Sequence, residues 1–344
     1  MASCVAGVSS TSVRHRLTRS RLISARNEQL IVVDRSGQVK MKNQTKEQEF
    51  DVIVIGGGPI GLSSAYHLSK QDSTKKILVV EQFKFVNDEV SSSGKSRQFR
   101  VQYDTVPMAR LALRAKDQWL AFNENSGQEL LEQVGALWFG DPELNSSEGG
   151  INDAIKVMDE LGIPYEPLKS GEEIMDRFKF KELPHEYEGF FQADGGILDI
   201  AATQEFMLAE LQKNENVVLK DFTEVIDIES LSNDEIYVTT RNKNNLEETI
   251  RCKAEKLALT PGPYINDLVS FFGLKVDIDI WTMSSSYYKI LDRETAEIGT
   301  TYYVYENNET GLFYGFNEVP WANPGYVRVA NAVADKIIDH PSES

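Results

Sequence analysis

The sequence predicts an α/β protein in which a Rossmann-like domain is interleaved with a strand-rich α+β domain. First, a glycine-rich turn at residues 56–61 joins an apolar strand to a helix. Second, another apolar strand follows that helix and ends in Glu81, which completes a βαβ unit. Third, helices and apolar strands of the same style return near residue 200, after a strand-rich stretch. This alternation is typical of a parallel sheet, so we expect the first domain to be discontinuous.

The turn has the glycine spacing of a dinucleotide-binding fingerprint. Gly56, Gly58 and Gly61 occupy the three glycine positions of G-x-G-x-x-G. The missing Cβ atoms permit a tight turn, a close approach of pyrophosphate and close packing of helix on strand. Glu81 lies 20 residues after Gly61, where a carboxylate can accept hydrogen bonds from ribose hydroxyls. The alternative, an ordinary glycine turn followed by a surface glutamate, explains the complete βαβ unit less well.

Composition excludes several classes of protein. The 344 residues suit about two domains, and the net charge of -17 argues against a nucleic-acid partner. Cys4 and Cys252 are far apart and the four histidines form no ligand motif, so we expect no disulfide framework and no metal site. No apolar run reaches the length of a membrane span, so we expect no membrane partner.

The first 50 residues differ in charge from the remainder. They contain nine Lys and Arg against four Asp and Glu, a net charge of +5, which leaves -22 for residues 51–344. No acid precedes Glu28, and serines alternate with arginines, as in organelle transit peptides. We therefore expect a basic extension over residues 1–49 and a mitochondrial or plastid location. The alternatives are a basic extension without an address and a cytoplasmic product that starts at Met41.

The pattern of apolar residues predicts the domain boundaries. We expect the nucleotide-binding domain over residues 50–135 and 200–275, the second domain over residues 136–199 and 276–338, and a tail over residues 339–344. The same pattern predicts helices over residues 108–122, 151–161 and 202–212, and strands over residues 286–290, 302–305, 312–316 and 326–329. It also predicts a short strand over residues 256–262 that runs into a glycine turn, followed by a helix toward Phe271.

These segments, in this order, resemble the flavin amine oxidases of the monomeric sarcosine oxidase type, within the glycine and D-amino-acid oxidase superfamily. The resemblance spans residues 51–332. Its most specific parts are Glu81-Gln82-Phe83, GKSRQFR at residues 94–100, GALWFG at residues 135–140, GGIL at residues 195–198 and LFYGF at residues 312–316. The resemblance implies that the first domain binds FAD and that the second binds substrate.

The resemblance also implies which residues hold the cofactor. The pyrophosphate, ribose, adenine and flavin-border positions of the family correspond here to Gly56, Gly58, Pro59, Ile60, Gly61, Glu81, Gln82, Arg97, Val225, Thr260 and Gly262. Neither cysteine matches the family's covalent attachment position, so we expect non-covalent FAD.

Four further positions resemble active-site residues of the family. Arg97 corresponds to the arginine beside the isoalloxazine ring, and Arg100 to the arginine that pairs with the substrate carboxylate. Tyr314 corresponds to a tyrosine that faces the substrate. Arg328 stands where the family has a lysine that helps to activate oxygen. The alternatives are structural ion pairs for the arginines and a core position for the tyrosine.

The implied reaction is the oxidation of a small secondary or N-methyl amino acid, of the sarcosine or pipecolate class, to an imine. Oxygen would be reduced to hydrogen peroxide, and we expect a monomer. Family members continue past the position of Ser344, and no peroxisomal tripeptide ends the chain. We therefore keep two alternatives, a truncated non-catalytic chain and a flavin dehydrogenase with another electron acceptor. An NAD-dependent dehydrogenase would fit the glycine turn but not the segment that contains Arg97.

Overall fold

The computed structural model describes residues 29–33, 39–43, 47–87, 90–146, 149–230, 235–296, 299–307 and 311–343. The chain divides into two compact units, Met1–Glu47 and Gln48–Ser344. Most of the predicted transit peptide lies outside the described residues. The described part of the first unit contains an antiparallel pair of strands, β1 (Gln29–Val33) and β2 (Val39–Asn43).

The larger unit is built from short strands and a few longer helices. Its strands are β3 (Glu47–Ile55), β4 (Ile77–Val80), β5 (Ser96–Phe99), β6 (Leu131–Glu132), β7 (Ala136–Gly140), β8 (Asn145–Ser146), β9 (Gly149–Gly150), β10 (Glu166–Leu168), β11 (Glu188–Gln192), β12 (Gly196–Asp199), β13 (Val217–Lys220), β14 (Thr223–Ser230), β15 (Ile236–Asn242), β16 (Asn245–Leu259), β17 (Ile280–Thr282), β18 (Ser285–Lys289), β19 (Thr301–Asn307), β20 (Gly311–Phe316), β21 (Tyr326–Asn331) and β22 (Lys336–Ile338). Its helices are α1 (Pro59–Gln71), α2 (Val106–Ser126), α3 (Ile151–Leu161), α4 (Gly171–Arg177), α5 (Ile200–Gln212), α6 (Ile265–Val269) and α7 (Arg293–Ala296).

A six-stranded sheet carries the predicted βαβ unit. Its strand order is β13-β4-β3-β16-β15-β14, and β3, β4 and β13 run parallel. All four residues of β4 are buried, as expected for a parallel strand that is covered on both faces. Alternate residues of β3 and β4 enter two different apolar clusters, one that includes residues of α1 and α5 and one that includes residues of β14, β15 and β16.

A seven-stranded sheet forms the other large layer. Its strand order is β10-β11-β7-β19-β20-β21-β18, with antiparallel neighbours except for β7 and β19, which run parallel. One face packs Trp138, Phe190 and Tyr303 against residues of α2 and α3. The opposite face packs Leu137, Phe139 and neighbouring residues against α4. All five residues of β18, the edge strand, are exposed.

A small three-stranded sheet, β5-β12-β6, combines strands from the two predicted domains. In this sheet Arg97 pairs with Leu198, and Ile197 pairs with both Gln98 and Glu132. The domain boundaries themselves stay a prediction, but the sheet explains how sequence segments about a hundred residues apart meet at one place.

The structure confirms the type of each predicted helix and strand and corrects some bounds. The helix predicted over residues 151–161 is α3, whereas the one predicted over residues 108–122 extends to Val106–Ser126. The strand expected near Thr260 is the end of the long β16, which pairs with β15, a strand that the sequence did not predict. The helix expected to reach Phe271 ends at Val269 and continues as a 3-10 turn. Among the described residues, no helix is both long and apolar enough to cross a bilayer.

We expect the core of the seven-stranded sheet to dominate stability. Phe190 is 0% exposed, so Phe190→Ala should lower the free energy of unfolding by about 3–5 kcal/mol through lost burial and a cavity. Phe272 is 39% exposed, so Phe272→Ala is the matched control and should cost less than about 1.5 kcal/mol. Urea unfolding followed by circular dichroism measures both; equal losses would contradict this assignment of the core.

Candidate functional site

The glycine turn lies at the carboxyl end of β3 and packs against the end of β16. Gly56 has a φ of +104°, and a Cβ atom there would collide with the carbonyl group of Thr260. A Cβ atom on Gly61 would collide with the carbonyl oxygen of Gly56 and lie 2.8 Å from the Thr260 hydroxyl. Internal packing is therefore sufficient to require glycine at both positions.

Gly58 is different, because space is open in front of it. It has an ordinary φ of -72° and forms the N-cap of α1 without a side-chain hydrogen bond. A Cβ atom there would meet only the Ser92 hydroxyl, at 3.6 Å. Pro59 opens the helix, Ile60 is 61% exposed, and the first turn of α1 contains no acidic residue. The backbone amides at this helix start and the open space beside Gly58 fit a phosphate group.

Glu81 already has partners in the protein. Its carboxylate accepts hydrogen bonds from the backbone N–H of Gly57, at 2.7 Å, and of Phe83, at 2.9 Å. A carboxylate has about four lone-pair sites, so a ribose hydroxyl can still donate to it. Gly57, which occupies a variable position of the fingerprint, was not predicted to matter. It is buried, and a Cβ atom there would collide with the Phe85 ring; the run of three consecutive glycines was the available signal.

The remaining nucleotide-side residues lie around this turn. The Thr260 hydroxyl donates to the carbonyl oxygens of Ile55, at 3.0 Å, and Gly56, at 2.9 Å. Gly262 begins a 3-10 turn with a φ of +60° and has no heavy atom within 4 Å of its Cβ position. Val225 lies on β14, and the N–H of Thr223 at the start of this strand donates to the carbonyl oxygen of Glu81 at 2.9 Å. Gln82 is half-buried next to Glu81.

A loop connects the turn to the predicted arginines. Arg97 donates to the backbone carbonyls of Ser91, Ser93 and Ser96, at 2.9, 2.6 and 2.8 Å. Ser92, in the same loop, faces Gly58. Arg97 therefore fixes the loop that borders the open side of the glycine turn.

Arg328 joins Arg97 at one carbonyl. Its guanidinium makes a long hydrogen bond of 3.5 Å to the Ser96 carbonyl oxygen, which also accepts from Arg97. Its carbon Cζ lies 5.4 Å from the centre of the Phe316 ring. Burial, and then the charge of Arg328, lower the pKa of the Arg97 guanidinium from its usual value. Two positive charges are thus concentrated at the end of the loop.

Arg100 follows β5 and lies among aromatic rings. It is 9% exposed, and its Cζ atom lies 4.5 Å from the centre of the Tyr103 ring, 5.0 Å from Trp138 and 5.1 Å from Tyr303. The electron-rich ring faces attract the cation and keep water from it. An anion that reaches Arg100 would meet a positive charge in a medium of low dielectric constant.

Tyr314 lies beside this aromatic cage. Its ring stacks on Tyr303 with a centroid distance of 5.8 Å and an interplanar angle of 20°. The amide of Gln98 donates to the Gly315 carbonyl oxygen at 2.9 Å, which ties the strand of Tyr314 to the strand of Arg97. The structure therefore brings all four predicted active-site residues to the junction of β5, β20 and β21. Among the described residues, no group of His, Cys, Asp and Glu could hold a metal ion.

Comparisons with known proteins agree with this geometry. A family model described as FAD dependent oxidoreductase matches residues 51–336. A bifunctional amine oxidase of Dictyostelium discoideum is 30% identical over 86% of this chain, which spans 28% of that relative. The monomeric sarcosine oxidase of Bacillus sp. (strain NS-129) is 24% identical over 78% of this chain, which spans 65% of that enzyme.

Solved structures give the same result. The open form of NikD, an amino acid oxidase essential for nikkomycin biosynthesis, has a TM-score of 0.73 and 31% identity, over 86% of this chain and 73% of its own. An L-proline dehydrogenase from P. horikoshii has a TM-score of 0.66 at 17% identity and supports the fold alone. The predicted family, the α/β fold and FAD as cofactor are confirmed.

Substitutions at two glycines of the turn should affect folding and cofactor binding separately. Gly61→Ala places a methyl group against the Gly56 carbonyl and should lower the free energy of unfolding by about 1–3 kcal/mol. Gly58→Ala has room for its methyl group and should fold normally, but should raise the FAD dissociation constant about tenfold or more by blocking the pyrophosphate. Thermal unfolding and a flavin fluorescence titration measure the two effects. Unchanged FAD affinity in Gly58→Ala would contradict a phosphate at this backbone.

Proposed function

Because the chain belongs to the family of FAD-dependent oxidoreductases, we propose that it oxidises a small secondary or N-methyl amino acid, of the sarcosine or pipecolate class, to an imine. One observation carries the proposal. Ser92 lies beside Gly58, and Arg97 donates to the backbone carbonyls of Ser91 and Ser93, the residues on either side of it. Arg97 and Arg328 then meet at the Ser96 carbonyl oxygen. A cofactor whose phosphates lie at the turn would have its redox-active end beside these arginines.

The reaction removes a hydride equivalent from the carbon next to nitrogen and a proton from the nitrogen. FAD, when bound, supplies the two-electron acceptor that no amino-acid side chain provides. The protein supplies orientation and electrostatics. The positive charges of Arg97 and Arg328 stabilise negative charge that develops beside them, and this stabilisation is preorganised because backbone carbonyls already hold the Arg97 guanidinium.

Arg100 is the residue that we assign to the substrate carboxylate. A planar guanidinium can donate two parallel hydrogen bonds to a carboxylate, and the aromatic rings around Arg100 strengthen the attraction by excluding water. Tyr314, stacked on Tyr303, presents a flat surface beside it. These residues fix one end of the substrate and thereby limit the positions of its carbon–hydrogen bond, which is a contribution of proximity and orientation.

The electron acceptor after FAD is the second part of the proposal. We assign this role to oxygen, which takes two electrons and two protons to give hydrogen peroxide, because relatives named as oxidases are similar to this chain in sequence and in fold. A dehydrogenase with another acceptor is favoured by one observation, the bulky guanidinium of Arg328 beside Arg97. Peroxide formed per substrate oxidised under air separates the two: about one supports the oxidase, and far less supports the dehydrogenase.

Binding and reduction of FAD test the proposal directly. The chain is loaded with FAD and treated without oxygen with sarcosine, other N-methyl amino acids or pipecolate. Loss of the visible absorbance of oxidised flavin supports the proposal. A chain that takes up no FAD, or a bound flavin that no secondary amino acid bleaches, would overturn it.

Arg100 should control substrate binding and not cofactor binding. Arg100→Lys keeps the charge but loses the planar pair of donors, so KM for a carboxylate substrate should rise about 10- to 100-fold while FAD affinity is unchanged. Arg110→Lys, on the exposed surface of α2, is the matched control and should leave KM unchanged. Equal losses of substrate and FAD affinity in Arg100→Lys would indicate a structural role instead.

The flavin should be bound without a covalent link. Cys252 is buried on β16, and burial raises the pKa of its thiol, so the nucleophilic thiolate is disfavoured. Cys4 lies outside the described residues. Acid precipitation of the loaded protein should leave all the flavin in the supernatant, and yellow colour retained in the washed pellet would contradict this.

A further inference from the structure

We propose that Ser285 is a positioning residue that holds the Arg328 guanidinium beside Arg97 and so keeps two positive charges at the redox end of the site. The contact between Ser285 and Arg328 stands by itself. Its effect on a bound flavin rests on the proposed function. Ser285 lies on the edge strand β18 and belongs to none of the motifs that the sequence offers.

Sheet register brings the two side chains together. Ser285 pairs with Ala330, and Tyr287 pairs with Arg328, in the antiparallel ladder of β18 and β21. Ser285 is therefore the diagonal neighbour of Arg328 on the same face of the sheet, within reach of a long side chain. The Ser285 hydroxyl oxygen accepts from Nη2 of Arg328 at 2.9 Å and from Nε at 3.3 Å.

The contact between Ser285 and Arg328 opposes an electrostatic repulsion. Arg97 and Arg328 repel each other, yet both approach the Ser96 carbonyl oxygen. Arg328 is half-buried on a strand next to the exposed edge, so its flexible side chain has an open path to water. The bond of 3.5 Å to Ser96 is too long to hold the guanidinium against the repulsion alone. The two shorter contacts with Ser285 supply the missing restraint.

A hydroxyl group suits this role better than a carboxylate. Both accept hydrogen bonds from a guanidinium, but a carboxylate would neutralise its charge, whereas serine leaves the charge in place. The Phe316 ring, 5.4 Å from Cζ, also attracts the cation without cancelling it. Arg328 is thus restrained by neutral groups on several sides, and its positive charge stays available to stabilise an anion that forms nearby.

The test compares three variants of the exposed strand. Ser285→Ala removes the acceptor, and Ser285→Thr restores a hydroxyl group. Ser286→Ala is the matched control, because the neighbouring residue of a strand points to the opposite face. Both positions are solvent-exposed, so loss of the fold is not expected, and circular dichroism verifies this.

The first measurement needs no cofactor. The chain is treated with phenylglyoxal, which modifies arginines, and peptide mass spectrometry gives the rate at Arg328 relative to the exposed Arg110. Ser285→Ala should raise this relative rate about tenfold, the factor expected for loss of a hydrogen bond to a charged group. Ser285→Thr and Ser286→Ala should show the same relative rate as the chain without substitutions. An unchanged rate in Ser285→Ala would overturn the proposal.

The second measurement uses the FAD-loaded chain and does not depend on turnover. Sulfite adds to oxidised flavins that are held in a positive environment, and its dissociation constant should rise about tenfold in Ser285→Ala and stay unchanged in Ser286→Ala. Unchanged sulfite affinity, together with faster labelling of Arg328, would overturn the role of Ser285 at the flavin. A chain that binds no FAD would refute the proposed function, and the labelling rate would still decide whether Ser285 positions Arg328.

Discussion

The contact between the glycine turn and the end of β16 is the constraint on which the site depends. Gly56 and Gly61 lack the Cβ atoms that would collide with the Thr260 and Gly56 carbonyls, and the Thr260 hydroxyl donates to two carbonyls at the end of β3. β16 is already the neighbour of β3 in the sheet, and this contact ties its end to the turn that follows β3. The start of α1, Glu81 and Thr260 are thereby held around the same opening. The pairing of β3 with β4 and the Gly57 N–H bond to Glu81 hold the predicted ribose position beside the turn, and the Thr260 contact adds the end of β16 to the same place.

The second half of the site depends on a different kind of interaction, the balance between like charges and neutral acceptors. Arg97 satisfies carbonyl groups of its own loop, and Arg328 is held by a carbonyl, a hydroxyl and a ring. Among the residues that the structure describes, neither guanidinium forms an ion pair with an acid that would cancel its charge. Repulsion between the two uncancelled charges lowers the stability of the fold. Only an uncancelled charge, however, can stabilise an anion that forms beside it.

The sequence predicted the first half of the site far better than the second. The glycine spacing and the distance to Glu81 follow from local geometry, so Gly56, Gly58 and Gly61 could be placed from the sequence alone. The run of glycines even held a signal for Gly57, whose N–H donates to Glu81. Arg97 and Arg328 are 231 positions apart, and only the approach of β5 to the β20–β21 pair, tied by the Gln98 bond to the Gly315 carbonyl, brings them to one carbonyl. Ser285 could not be found at all, because a serine on an exposed strand has no pattern of its own.

By resemblance, Arg328 stands where the family has a lysine, and an arginine there would differ from a lysine in more than its charge. An ammonium group is a compact point charge that is strongly hydrated, and a single acceptor can orient it. A guanidinium spreads its charge over a plane and needs acceptors in several directions, which Ser96 and Ser285 provide here while Phe316 lies against it. The charge of the Arg328 guanidinium is therefore more diffuse than that of a lysine, but more contacts hold it in place. Such a group can stabilise charge on a large conjugated ring as well as lysine does, whereas it is less suited to concentrate charge on a diatomic molecule. In the proposed reaction, the choice between oxygen and another acceptor would therefore depend on this side chain and would affect only the step that follows the reduction of FAD.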